Sequence, residues 1–383
     1  MESQPAQQAI LQKITLGDLE LPNRVVVAAL GRGRADHEAR APTDLHAQFY
    51  SNRASAGLII TECSAISQDG DSYLGSSNIY SEEQIQGWKK VVDAVHEKGG
   101  RIFLQIWHGG RTAHPDRNGG HIPLSSSPVA VVGGGNTLPG VVPKEATLED
   151  IKTVQENFKR AAQNAKDAGF DGVEIHGAHG YIIDQFLRDG VNQRTDSYGG
   201  SVENRARFLL ETVKEVLTVF TPQRVGVKFS PMNTFHTMSD SDPAALYSYV
   251  LQELSKLNIG FVEITEGFSF DSQVHQEAKD KFFQERTEKS VRELLKPHFT
   301  SGLYITNQGY TIESGNQAIE SGQADLVSFG ALFCANDNLV ERIENGLTLN
   351  ALSNVKDPEV RGKYLYSHLP DGYTDVSVYE AKE

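Results

Sequence analysis

Residues 174–186 read EIHGAHGYIIDQF, with two histidines three positions apart and a tyrosine two further on. Three chemistries suit that spacing. Two imidazoles at i and i+3 can chelate zinc when a helix stacks them on one face. Here, however, Gly177 and Gly180 disfavour a helix, and no HExxH pattern is present. Alternatively, two imidazoles can donate hydrogen bonds to an oxygen on which negative charge gathers, while a neighbouring phenol, with an ordinary pKa of about 10, supplies a proton. The third reading is capping or solvated residues at the end of a strand. The stretch alone leaves all three open.

The elements around it narrow the choice. Short β-branched and aromatic runs recur at NRVVVAA (23–29), GLIITE (57–62), RIFLQIW (101–107), GVEIH (172–176), RVGVKFS (224–230), GFVEIT (260–265), LYIT (303–306) and LVSFG (326–330). Helical periods fall between them, as with Trp88, Val91, Val92 and Val95, or Ala206, Leu209, Leu210 and Val213. Eight β-then-α units predict an α/β fold, a single (β/α)8 TIM barrel spanning residues 1–383 as one domain. ITLGDLELPN ahead of the first run predicts a hairpin closing the barrel floor. A Gly-, Ser- and Pro-rich insertion, about 108–147, follows the third strand and is expected to shape a pocket at the catalytic face.

Side chains alternate across a strand, so the parity of each run says which residues point into the barrel. With the aliphatic residues facing the helices, Gln105 and Trp107 turn inward from the third strand, Glu174 and His176 from the fourth, and Lys228 from the fifth. Gln105, His176 and Lys228 therefore converge, with His179 and Tyr181 just above. That convergence favours a shared pocket and the oxyanion and proton-donor reading. None of these residues can deliver a hydride, so a reduction would need a cofactor.

Bulk composition excludes other classes. The 383 residues are 39% hydrophobic, with no run long enough to span a bilayer. The formal charge of −14 disfavours nucleic acid and anionic membrane as partners. Cys63 and Cys334 stand in no CxxC or Cys/His cluster. The N-terminus lacks a signal core, so the expectation is a cytoplasmic protein, monomeric or a homodimer, with no metal.

The segment EIHGAHGYIIDQFLRDGVNQRTDSYGGSVENRARFLLE (174–211) resembles the fourth-strand region of old yellow enzymes, the FMN-dependent ene-reductases. LPNRVVVAAL, FLQIWHGGR, RVGVKFSPMN, ITNQGYTIES and ADLVSFGALFCANDNLVERI extend the likeness across nearly the whole chain in family order. The histidine pair is similar to that of plant oxophytodienoate reductases. The resemblance implies FMN over the C-terminal mouth of the barrel, reduced by NADPH or NADH and passing hydride to an activated alkene. His176 and His179 would bind the carbonyl or nitro oxygen and Tyr181 would protonate the α-carbon. Ala29, Leu30, Gly31, Cys63, Gln105 and Lys228 would border the flavin, Gln308, Gly309, Gly330 and Ala331 would hold its phosphate, and Trp107 and Tyr373 would line the substrate pocket. Pocket size would be set by the insertion and by the loop bearing Phe268 and Phe270.

Four positions depart from the family pattern. Gly31 replaces a threonine or cysteine near the flavin, Ala29 a proline, Lys228 an arginine, and Ala331 the arginine that binds the phosphate. The last change implies weaker flavin binding, by about 1.5–3 kcal/mol for a charge-assisted contact.

Overall fold

The structure, a computed structural model, describes residues 8–132, 140–267, 289–367 and 369–380. The loop with Phe268 and Phe270 lies outside them. A hairpin of β1 (Ile14–Leu16) and β2 (Leu19–Leu21) precedes β3 (Val25–Val27), β4 (Leu58–Ala65) and β5 (Ile102–Trp107). Two short strands in the insertion, β6 (Leu124–Ser125) and β7 (Lys144–Glu145), come next. The remaining strands are β8 (Gly172–His176), β9 (Val225–Phe229), β10 (Phe261–Thr265), β11 (Leu303–Asn307) and β12 (Leu326–Phe329). Strands β3, β4, β5, β8, β9, β10, β11 and β12 close in that order into a parallel barrel, so all eight expected strands form a TIM barrel.

Alternation sorts the core into two compartments. Outward residues such as Ile59, Leu104, Val173, Val227 and Ile264 pack with the helices, including the fully buried stripe Trp88, Val91, Val92 and Val95 on the helix Glu82–Glu97. Ser81 and Gln84 start that helix with a capping box. Inward residues Val26, Leu58, Ile60, Phe103, Phe261, Ile305 and Leu326 fill the barrel's lower half, and Leu16 and Leu21 of the hairpin seal it from below. Phe103 and Phe261 fit because glycines face them: a Cβ on Gly226 would stand 2.1 Å from the Phe261 ring.

One strand breaks the alternation. The register of β4 against β5 shifts between Ile60 and Cys63, a bulge that leaves Cys63 opposite inward-facing Gln105. Glu62 is thereby turned out to His46, 2.8 Å away. Above the mouth, the insertion is tied down by Arg111, which donates to the backbone oxygen of His236 at 2.6 Å, and by Ser126, which donates to that of Gln185 at 2.6 Å. Arg194 pairs with Asp196, and Arg205 with Asp189 and Asp240, bracing the loop after β8. No helix among the described residues is long and apolar enough to cross a membrane.

Candidate active site

Above the apolar floor the barrel carries a polar layer. Gln105 Nε2 donates to Glu174 Oε1 at 2.6 Å, and Lys228 Nζ lies 3.0 Å from Glu263 Oε1, which also accepts from Asn307. All four side chains from β5, β8, β9 and β10 are buried. Burial and the nearby Glu263 charge push Glu174 well above the usual carboxylate range, so it keeps its proton. Burial, the largest single influence, opposes ionisation of Glu263 too, but the Lys228 charge together with hydrogen bonds from Glu174, Asn307 and Lys228 holds that carboxyl below its usual range. Burial likewise disfavours charge on Lys228, and attractions led by the Glu263 carboxylate more than compensate. The layer thus holds one cation, one anion and one neutral acid.

The histidines and tyrosine stand above this layer. The His176 ring centroid is 5.5 Å from that of His179 and 4.9 Å from that of Tyr181. The backbone N–H of Ala178 donates to His176 Nδ1 at 3.2 Å, and an N–H can only donate. A neutral His176 therefore carries its proton on Nε2. It is neutral at pH 7, because burial first, then His179 and Lys228, depress its pKa. Burial followed by Lys228 brings His179 down to about 3.

His179 sits at φ +56°, where a side chain other than glycine is strained. Its N–H donates to Ser230 Oγ at 2.8 Å, and its carbonyl accepts from His236 Nδ1 at 2.8 Å. Tyr181 caps the helix Ile182–Leu187 and shares a hydrogen bond with Tyr73 across 3.1 Å. Burial and Tyr73 raise its pKa well above 10, so it holds its proton at neutral pH. Among the described residues no three His, Cys, Asp or Glu side chains are grouped to hold a metal ion.

The structure brings most of the expected site residues to this mouth. Trp107 is stacked on Tyr73 at 5.9 Å and meets the Tyr181 ring edge-on at 4.6 Å. Cys63 packs against the same aromatic group, its thiol pushed strongly upward by burial. Gln308 and Gly309 follow β11, and Gly330 and Ala331 follow β12, the neighbouring strand. Tyr373 is elsewhere. It is 0% exposed, stacked on Phe49 at 4.2 Å and edge-on to His46, with the Arg34 guanidinium over its other side. Of the C-terminal tyrosines it is Tyr366, 59% exposed, whose charge reaches Tyr73 and Tyr181 and adds a small upward push to both their pKa values.

The arrangement fits a flavin. An added Cβ on Gly31 or Gly309 would meet no atom within 4 Å, which leaves open room at the ends of β3 and β11. The amide of Gln105 and the ammonium of Lys228 suit a pyrimidine edge that both donates and accepts. Ala331 offers no charge to a phosphate; the arginine near Gln308 and Gly309 is Arg292, which lines a cavity of about 520 Å³ with them. Glu266 already engages that guanidinium at 3.0 Å.

Residues 9–350 match the model of the NADH:flavin oxidoreductase / NADH oxidase family. The chain belongs to this family, that of the old yellow enzymes. A protein of Leishmania infantum described as a "probable flavin mononucleotide-dependent alkene reductase" is 40% identical, over 89% of this chain and 92% of its own. The 12-oxophytodienoate reductase 1 of Oryza sativa subsp. japonica is 38% identical, over 97% and 93%. The structure of the old yellow enzyme homologue from Zymomonas mobilis superposes with a TM-score of 0.86 at 34% identity, covering 97% of this chain and 99% of that one. Old yellow enzymes use FMN with a nicotinamide reductant, and these are the cofactors of this chain.

Sequence reasoning missed Glu263, Tyr73, His236 and Tyr366. Glu263 was within reach, since Phe261, Glu263 and Thr265 repeat the inward parity of Gly172, Glu174 and His176. The other three sit outside the strands, where no periodicity applies.

Proposed function

We propose that the chain, acting over residues 1–383 as one FMN-binding domain, is an ene-reductase that saturates the C=C bond of α,β-unsaturated carbonyl or nitro compounds. The observation that carries this reading is the neutral His176, its proton on Nε2, with the protonated Tyr181 phenol ring 4.9 Å away. Bound FMN, reduced by NADPH or NADH, supplies the hydride. Gln105 and Lys228 would hold its pyrimidine edge, beside Ala29, Leu30, Gly31 and Cys63; Gln308, Gly309, Gly330 and Ala331 would border the phosphate. His176 and His179 donate to the substrate oxygen, polarising the alkene and stabilising the enolate-like charge that gathers there. Because both rings are neutral, they stabilise that charge without surrendering a proton to the oxygen. Tyr181 gives its proton to the α-carbon. Trp107 flanks the phenol, and Trp107 and Tyr366 would bound the substrate.

Anaerobic stopped-flow mixing tests this. The yellow protein is expected to bleach with NADPH and regain colour with 2-cyclohexenone. Tyr181→Phe is expected to slow recolouring at least tenfold while bleaching proceeds; equal loss of both half-reactions would remove Tyr181 from the role of proton donor.

A further inference from the structure

Once Tyr181 has protonated carbon it is left as a phenolate in a largely enclosed place, and it must be reprotonated before the next turnover. Tyr73 OH lies 3.1 Å from Tyr181 OH and 3.5 Å from His236 Nε2. Resting on the reading above, we propose that Tyr73 and His236 form the path by which a solvent proton returns to Tyr181.

The hydrogen-bond directions support the path. The backbone carbonyl of His179 can only accept, so His236 Nδ1 carries a proton, and in the neutral ring Nε2 presents a lone pair to Tyr73. The Tyr73 hydrogen thus has two acceptors, the Tyr181 oxygen and His236 Nε2. When Tyr181 becomes a phenolate, the charge-assisted bond to it wins. The Tyr73 O–H bond then breaks as the Tyr181 O–H bond forms. Water or buffer first protonates His236 at Nε2, and that N–H bond then breaks as the Tyr73 O–H bond re-forms, which returns the ring to its neutral state. Each alkene consumes one hydride from the reduced flavin and one solvent proton.

His236 is suited to this alternation. Burial, opposed by its bond to the His179 carbonyl and reinforced by Arg111, brings its pKa to about 4, so it is neutral at rest. A phenolate on Tyr73 or Tyr181 raises its proton affinity at the moment a proton is needed. The charged and titratable groups around it are Arg111, His176, His179, Tyr73 and Tyr181. The ring is aimed by a costly backbone: His236 and Thr237 have φ of +57° and +58°, and Arg111 clamps the His236 carbonyl.

The test is steady-state turnover of NADPH and 2-cyclohexenone by the holoenzyme in H2O–D2O mixtures, for wild type, Tyr73→Phe and His236→Gly. The path predicts at least a tenfold slowing of repeated turnover in both variants. It also predicts a proton inventory that changes from curved in the wild type to linear in Tyr73→Phe, and recovery of at least fivefold when imidazole is added to His236→Gly. Wild-type turnover in either variant, a slowing that imidazole does not relieve, or an unchanged inventory would overturn it. Should His236→Gly lose its flavin, the Tyr73→Phe inventory decides. A wild-type enzyme that bleaches yet is never recoloured by the enone would count against the function itself, a distinguishable result.

Discussion

Lys228→Met should be among the most damaging single changes in the barrel, and the polar layer predicts by how much. Lys228 Nζ and Glu263 Oε1 are 3.0 Å apart, with side chains 4% and 0% exposed. At an effective dielectric of about 20, a pair at that distance attracts by roughly 5 kcal/mol. Removing one member strands the other as an uncompensated buried charge, at a cost of about 3–5 kcal/mol. Glu263→Gln should cost less, about 1.5–3 kcal/mol for the lost charge-assisted hydrogen bond, because the neutral Glu174 can release its proton and become the counter-ion. With Glu174→Gln added, nothing replaces the anion, and the double variant should lose more than the sum of the singles. Urea unfolding at pH 7 with the same excess of FMN throughout measures the series. Glu263→Gln as costly as Lys228→Met, or strict additivity in the double variant, would refute this assignment of one cation, one anion and one neutral acid.

Acid should destabilise the fold through His176, His179 and His236, whose pKa values all lie below the unfolded 6.5. Their depressed values mean the unfolded chain binds more protons, so stability present above about pH 6.5 is lost as pH falls toward the folded values. The slope approaches about 4 kcal/mol per pH unit for three such groups; urea midpoints between pH 7 and 5 read it, and His236→Gln should reduce it by roughly a third. Ala331→Arg should tighten FMN about 10- to 100-fold, read as flavin fluorescence on dilution; no change would mean another group already holds the phosphate. Tyr373→Ala should cost about 3–5 kcal/mol of stability while leaving the enone KM of the folded protein unchanged, whereas Tyr366→Ala should raise it; a KM change in Tyr373→Phe would return Tyr373 to the pocket.

The barrel was legible because parallel strands buried on both faces leave short aliphatic runs, and because parity alone turns Gln105, Glu174, His176 and Lys228 inward. Seven of the eight strands keep that parity through to the mouth, and there the reasoning holds. It fails in β4, where nothing in GLIITECSA announces the bulge, and it cannot reach loops. Tyr373 illustrates the second limit. The C-terminal segment offers tyrosines at 364, 366, 373 and 379, and which one comes nearest the mouth depends on how Arg32 and Arg34 grip the backbone carbonyls of Tyr364, Asp371 and Gly372. That grip joins residues some 330 positions apart. Tyr73 and His236 are set by contacts between residues 57 to 163 positions apart.

The bulge in β4 acts as a phase slip in an otherwise strict two-stroke pattern. Upstream of it, even-numbered residues from Leu58 to Ile60 look into the barrel; downstream, the odd-numbered Cys63 and Ala65 do. A one-residue deletion there would only absorb the bulge and leave both faces as they are, whereas the same strand straightened at its full length would swap them: Glu62 would be delivered to the flavin mouth and Cys63 to the pocket of His46. For this strand the conformation around Thr61, rather than any one side chain, decides which of Glu62 and Cys63 reaches the mouth.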